Sequence, residues 1–163
     1  KSAGEDLVAA NTDKYFIVRT AWLYGKNGNN FVHTMLRLFA EKDSLNVVAD
    51  QKGTPTWAGT LASLIMEIIE SDSDKYGIYH CTDEGETTWF DFASAILNEA
   101  FDAGLIKRII PINPVTSSEY PTKTERPKYS VLSKDKIKTE FSFIPESWET
   151  VLKNYIIERS GEV

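Results

Sequence analysis

Tyr15-Phe16-Ile17-Val18, running on into Arg19-Thr20-Ala21-Trp22-Leu23-Tyr24-Gly25, is the stretch that decides the fold. Its first four residues are aromatic or β-branched, with no polar alternation. A strand that is apolar on both faces belongs inside a mostly parallel sheet with helices on either side. The turn-rich run Lys26-Asn27-Gly28-Asn29-Asn30 closes the stretch. Two large aromatics, Trp22 and Tyr24, therefore follow the carboxyl end of a central strand. Ligands of open α/β sheets lie outside that end. An aromatic plane placed there stacks on a sugar or a base. The same two residues also suit the rim of a core, and spacing alone leaves both readings open.

The pattern on either side of this strand alternates. Residues 2–10 suit a helix, which Asn11 and Thr12 end. Phe31, Met35, Leu38 and Phe39 recur at helical spacing. Leu45-Asn46-Val47-Val48 reads as a strand, and Asp50-Gln51-Lys52-Gly53-Thr54-Pro55-Thr56 as a loop. Leu61, Leu64, Ile65 and Ile68 stripe a third helix, and Gly77-Ile78-Tyr79-His80-Cys81 is strand-like. Thr88 is placed to cap a helix running to Ala100, with Asp91 at the back-bonding position. Residues 107–112 read as a strand closed by Pro111. Residues 113–128 form a polar, proline-rich segment, too long for a plain connection and of the kind that binds ligands. Ser133 caps a short helix. Pro145 and Ser147 open a final one, with Trp148, Val151, Leu152, Tyr155 and Ile156 inward. There is no internal repeat. The alternation predicts an α/β fold over residues 1–163 as one unit.

Composition excludes several functions. The 163 residues carry 18 Lys plus Arg against 24 Asp plus Glu, a formal charge of −6. That balance argues against a general grip on nucleic acid or an anionic membrane. Apolar residues make up 42%, but no run approaches the ~18 needed to span a bilayer. No signal peptide is visible, so the reading is cytoplasmic. A lone cysteine, Cys81, cannot form an internal disulfide or a cysteine-built zinc site. GxGxxG, GxxxxGK[ST], HExxH and GxSxG are all absent, so no metal is assigned. His80 and Cys81 are adjacent on a strand and face opposite ways. Trp89, Phe90, Phe92 and Trp148 read as core, and Glu67 and Glu70 as solvated helix faces. Arg126 precedes Pro127, which holds it extended. Its planar fork suits a phosphate or carboxylate, or an ion pair with Glu119 or Glu125.

Taken in order, these pieces resemble the dTDP-4-dehydrorhamnose reductase family of extended short-chain dehydrogenases/reductases. The matching blocks are Arg19-Thr20-Ala21-Trp22-Leu23-Tyr24-Gly25, Asn30-Phe31-Val32, Asp50-Gln51-Lys52-Gly53-Thr54-Pro55-Thr56 and Gly77-Ile78-Tyr79-His80. Thr88-Trp89-Phe90-Asp91-Phe92-Ala93, Arg126-Pro127-Lys128-Tyr129-Ser130-Val131-Leu132 and the closing helix with Trp148 and Leu152 complete the match.

The resemblance implies reduction of the 4-keto group of dTDP-4-dehydro-rhamnose to dTDP-rhamnose by a nicotinamide cofactor, NADPH or NADH. The family's catalytic pair is YxxxK. Lys1-Ser2-Ala3-Gly4-Glu5 is similar to the tail of that motif, which would make Lys1 the catalytic lysine. The tyrosine and the glycine-rich cofactor loop have no counterpart in this sequence. The chain would then be the C-terminal, substrate-binding portion of an extended Rossmann-type reductase, without the dinucleotide-binding half. Its strands would complete a parallel sheet, and an apolar edge at Phe16, Ile17 and Val18 would lack its neighbour. Thr20 and Ala21 would lie beside the nicotinamide. Trp22, Asn30, Phe31, Thr56 and Arg126 would bind substrate, with Arg126 on the diphosphate. The resemblance also allows a homo-oligomer and a magnesium ion held by glutamates that the sequence does not single out. The alternative is a regulatory or binding module that keeps the fold without the redox chemistry. Lys1, Trp22 and Arg126 together favour the enzyme.

Overall fold

The computed structural model describes residues 1–120, 124 and 126–161. Helix α1 (Ser2–Asn11) leads into strand β1 (Phe16–Arg19), which holds the apolar run Phe16-Ile17-Val18. Then come β2 (Leu23–Tyr24), α2 (Phe31–Glu41), β3 (Leu45–Val48), β4 (Lys52–Gly53) and β5 (Thr56–Trp57). Helix α3 (Ala58–Glu70), β6 (Gly77–His80), β7 (Thr87–Thr88) and α4 (Trp89–Asp102) follow, and β8 (Ile112–Val115), α5 (Asp135–Phe141) and α6 (Trp148–Ser160) close the chain. Three strand pairs, β1 with β6, β2 with β5 and β3 with β8, are parallel, while β4 with β7 is antiparallel. The fold is α/β, and each parallel pair needs a helix-bearing crossover between its strands.

Polar caps set the helix starts. Thr88 Oγ1 accepts the Asp91 N–H at 3.0 Å, and Ser147 Oγ accepts the Thr150 N–H at 3.3 Å. Each satisfies a backbone donor that has no partner within its own helix. Ser133 lies one residue before the N-cap of α5 and still accepts the Asp135 N–H.

The last strand differs from the expectation. Residues 107–111 are not a strand, and β8 begins at Ile112. Arg108 is turned to Asp43 and to the Lys42 carbonyl instead. The ladder with β3 starts where the Leu45 N–H donates to the Pro111 carbonyl and runs on to Val115. Pro114 is tolerated inside β8 because, among the described residues, β8 is paired on one side only.

Packing forms two apolar clusters. One is centred on Phe92, fully buried among Trp22, Tyr24, Phe31 and Trp148. The five residues expected inward on α6 are all buried. The other cluster lies between α3, α5 and the β1/β6 pair, and holds Leu64, Ile68, Tyr79, Cys81, Ile137 and Phe141. Cys81 is sealed there, and burial pushes its thiol up to about 12. Strand β1 is paired with β6 only, among the described residues, and its apolar side chains are half-buried. Helix α1 buries none of its residues and is tied to β1 by Glu5 and Arg19, whose Nε lies 3.0 Å from Oε2.

Asp83 is fully buried at the start of α3, where Oδ2 accepts the Trp57 N–H at 3.0 Å. Its Oδ1 is buried without a partner among the described residues. Burial pushes this carboxyl up from 3.8 to about 6, against the pull of Thr60, the Trp57 N–H and Lys134. A raised folded value means that the folded state binds the proton more tightly. The resulting stability is complete below the unfolded value and is lost as pH rises through the folded one. Urea unfolding is therefore expected to show a loss on the order of 2 kcal/mol between pH ~4 and ~7 that Asp83→Asn removes. An unchanged slope in the variant would assign the effect to another group.

Candidate functional site

The site is built where the chain leaves β1. Trp22 sits at φ 48°, in the left-handed region, uncommon for a residue with a side chain. Thr56 holds it there. The Thr56 hydroxyl donates to the Ala21 carbonyl at 2.7 Å, and its N–H donates to the Trp22 carbonyl at 3.2 Å. The indole of Trp22 then stacks on Trp89, with centroids 3.5 Å apart and planes 13° from parallel. Gly53 abuts the same indole. Beside this turn the Thr20 hydroxyl is enclosed, with no hydrogen-bond partner among the described residues.

From Trp89 the aromatic surface continues to Phe31, 4.6 Å away. There a cleft of about 310 Å³ opens past the carboxyl end of β3, walled by Phe31, Met35, Val47, Val48, Gln51, Trp89, Tyr120 and Arg126. Two residues expected to bind substrate, Phe31 and Arg126, thus face one cleft, and Trp22 meets it through Trp89. Arg126 is exposed. Glu119, one acid that could have paired with it, accepts from Thr116 N and Oγ1 instead. Glu125 lies outside the described residues.

The segment carrying Tyr120 and Arg126 is fastened on both sides by residues 50–52. Ser117 N and Oγ donate to Asp50 Oδ1 at 2.8 and 2.6 Å, and Gln51 Nε2 donates to Ser117 Oγ at 2.9 Å. The Ser117 hydroxyl, and after it the Ser117 N–H, hold the Asp50 carboxyl below the usual range. Farther on, the Lys52 N–H donates to the Lys128 carbonyl, and the Ser130 N–H donates to the Lys52 carbonyl.

Two expected substrate residues are placed otherwise. The Asn30 amide is occupied locally: its oxygen accepts the His33 N–H as the cap of α2, and its nitrogen donates to the Gly25 carbonyl. It borders a separate cavity of about 530 Å³ with Lys26, Trp57, Tyr155 and Arg159. Thr56 is fully buried and its hydroxyl is committed to Ala21. Both side chains shape backbone rather than face the cleft. Lys1 is exposed at the start of α1, its carbonyl accepting the Gly4 and Glu5 N–H groups. Trp89, read as core, is half-buried and walls the cleft. Its position carried the clue: it extends the buried stripe Phe92, Ala93 and Ile96 one turn beyond the core. Among the described residues, no three of His, Cys, Asp and Glu converge as a metal site, so nothing supports the magnesium ion. No helix there is long and apolar enough to cross a membrane.

A family model described as the RmlD substrate binding domain matches residues 1–160. The chain belongs to that family. It is 43% identical over 158 residues to dTDP-4-dehydrorhamnose reductase of Aggregatibacter actinomycetemcomitans, covering 94% of this chain and 54% of the relative. It is 42% identical over 161 residues to the spore coat polysaccharide biosynthesis protein SpsK of Bacillus subtilis (strain 168), covering 99% of this chain and 53% of the relative. A crystal structure of dTDP-4-dehydrorhamnose reductase from Bacillus anthracis, in complex with NADP, superimposes with a TM-score of 0.89 at 40% identity. That match covers 97% of this chain and 53% of the other. The RmlD-family chain described here thus spans about half the length of the curated relatives it matches.

Proposed function

We propose that this chain is the sugar-nucleotide-binding portion of a dTDP-4-dehydrorhamnose reductase, a cytoplasmic enzyme that reduces dTDP-4-dehydro-rhamnose to dTDP-rhamnose with NADPH or NADH. The observation that carries the reading is the continuous aromatic surface Trp22, Trp89, Phe31, running from the carboxyl end of β1 to a cleft bordered by Arg126. A sugar nucleotide is flat at the base, anionic in the middle and polar at the sugar. Phe31, Trp89 and Tyr120 offer planes to the base, and Arg126 offers a fork to the diphosphate. Trp22 meets the sugar at the strand end. Asn30 and Thr56 keep the backbone around that path in place.

The nicotinamide, when bound, supplies the hydride. Beside the Trp22 turn Ala21 would leave room for such a neighbour, and half-buried Thr20 has an enclosed hydroxyl without a partner among the described residues. The ammonium of Lys1 would favour the ionised form of a nearby proton donor and hold the cofactor ribose. This portion would act together with a dinucleotide-binding half.

Arg126→Ala tests the orientation. In the protein that carries this chain, KM for the dTDP-sugar is expected to rise about tenfold, with kcat changed less. The difference should shrink as salt is added, because Arg126 is exposed. An unchanged KM at low salt would remove Arg126 from the diphosphate.

A further inference from the structure

Residues 50–56 touch two stations of the proposed substrate path. Asp50, Gln51 and Lys52 fasten the segment bearing Arg126, and Thr56 fastens the turn bearing Trp22. Between them lies Gly53. Its backbone is outside the left-handed region, so conformation does not demand a glycine there. Contact does. A Cβ at this position would lie 2.6 Å from Trp22 Cε2, 2.7 Å from Cζ2 and 2.8 Å from Nε1.

We propose that Gly53 is a positioning residue: its bare backbone, laced to the strand that delivers Trp89, sets the indole of Trp22 flat against Trp89. Its consequence for substrate rests on the sugar-nucleotide reading; its geometry does not. The backbone at 53 has little room to retreat. Gly53 pairs with Thr87, and Lys52 with Thr88, immediately before Trp89. Lys52 is also bonded on both sides to the 128–130 segment, and Thr54 Oγ1 donates to the Gly85 carbonyl at 2.8 Å. The indole is the far end of a side chain and is the part that yields. A methyl group at 53 therefore moves Trp22 off Trp89 while the strand pairing stays. One seven-residue segment thereby fixes the sugar contact and the diphosphate contact relative to each other.

The test is Gly53→Ala in the protein that carries this chain. Two indoles stacked this closely give an exciton couplet in far-ultraviolet circular dichroism, assigned to the pair by its loss in Trp89→Phe. Gly53→Ala is expected to unfold cooperatively, to lose the couplet, and to raise KM for the dTDP-sugar about tenfold. Gly53→Ala combined with Trp22→Phe is expected to recover the thermal stability lost by Gly53→Ala alone, because the smaller ring makes room. That rescue decides the matter if the single variant fails to fold; a double variant equally unfolded would overturn the proposal. A folded Gly53→Ala with the couplet intact would overturn it too. So would loss of the couplet with KM unchanged, which would leave Gly53 a packing residue. Failure of the sugar-nucleotide reading would be seen separately, as wild-type protein that binds no dTDP-sugar while its couplet still responds to Gly53→Ala.

Discussion

Phe92→Ala lowers the unfolding free energy by roughly 3–5 kcal/mol, the range for emptying a buried aromatic site. Phe92 is fully buried and touches rings from four directions. Phe31 stacks on it at 5.6 Å and 17°, Trp148 meets it edge-on at 5.7 Å, and Tyr24 and Trp22 lie at 5.8 and 6.5 Å. Phe31 and Trp22 are also the two ends of the proposed substrate path. Losing the ring beneath them should loosen the path as well as the core. Domains of this size have roughly 5–15 kcal/mol in all, so the variant should lie near the threshold of folding. Urea denaturation checks this, with Phe101→Ala as the control. Phe101 is on the same helix but exposed, and its removal should stay within about 0.5 kcal/mol. A loss at Phe92 no larger than the control's would mean that the aromatic cluster is not the centre of the fold.

Trp22→Ala has the largest expected effect on activity. In the protein that carries this chain, kcat/KM for the dTDP-sugar should fall about 100-fold, or about 2.7 kcal/mol of transition-state stabilisation. Two losses combine. The proposed sugar contact loses its aromatic plane, and Trp89 loses a stacking partner, a contact of roughly 0.5–1.5 kcal/mol. Because Trp22 is only half-buried, stability should fall much less than in Phe92→Ala. Trp22→Phe keeps a ring and should recover part of the activity. An unchanged kcat/KM with a large loss of stability would make Trp22 a core residue and nothing more.

The sequence was most readable where the signal is local. The unbroken apolar run at 16–18, the cap residues Thr88 and Ser147, and the inward face of α6 depend on neighbours within a few residues, and the structure has all of them. Motif resemblance pointed to Trp22, Phe31 and Arg126, which the fold brings onto one surface or next to it. What could not be read depends on partners far along the chain. Ile109 and Ile110 invite a strand, but the ladder belongs to whatever β3 pairs with, and that is 112–115. The resemblance puts Thr56 among the substrate residues, yet its hydroxyl is committed to a carbonyl on another strand's exit. Gly53 is only one residue of a loop in the sequence, because periodicity cannot report that an indole from another loop lies against it.

The most direct test of the central claim is a titration of dTDP-rhamnose into the protein that carries this chain, followed by tryptophan fluorescence. The account predicts a saturable change that Arg126→Ala weakens in low salt and Trp22→Ala abolishes, with both variants folded. A folded wild-type protein showing no saturable response up to about 1 mM ligand would contradict it.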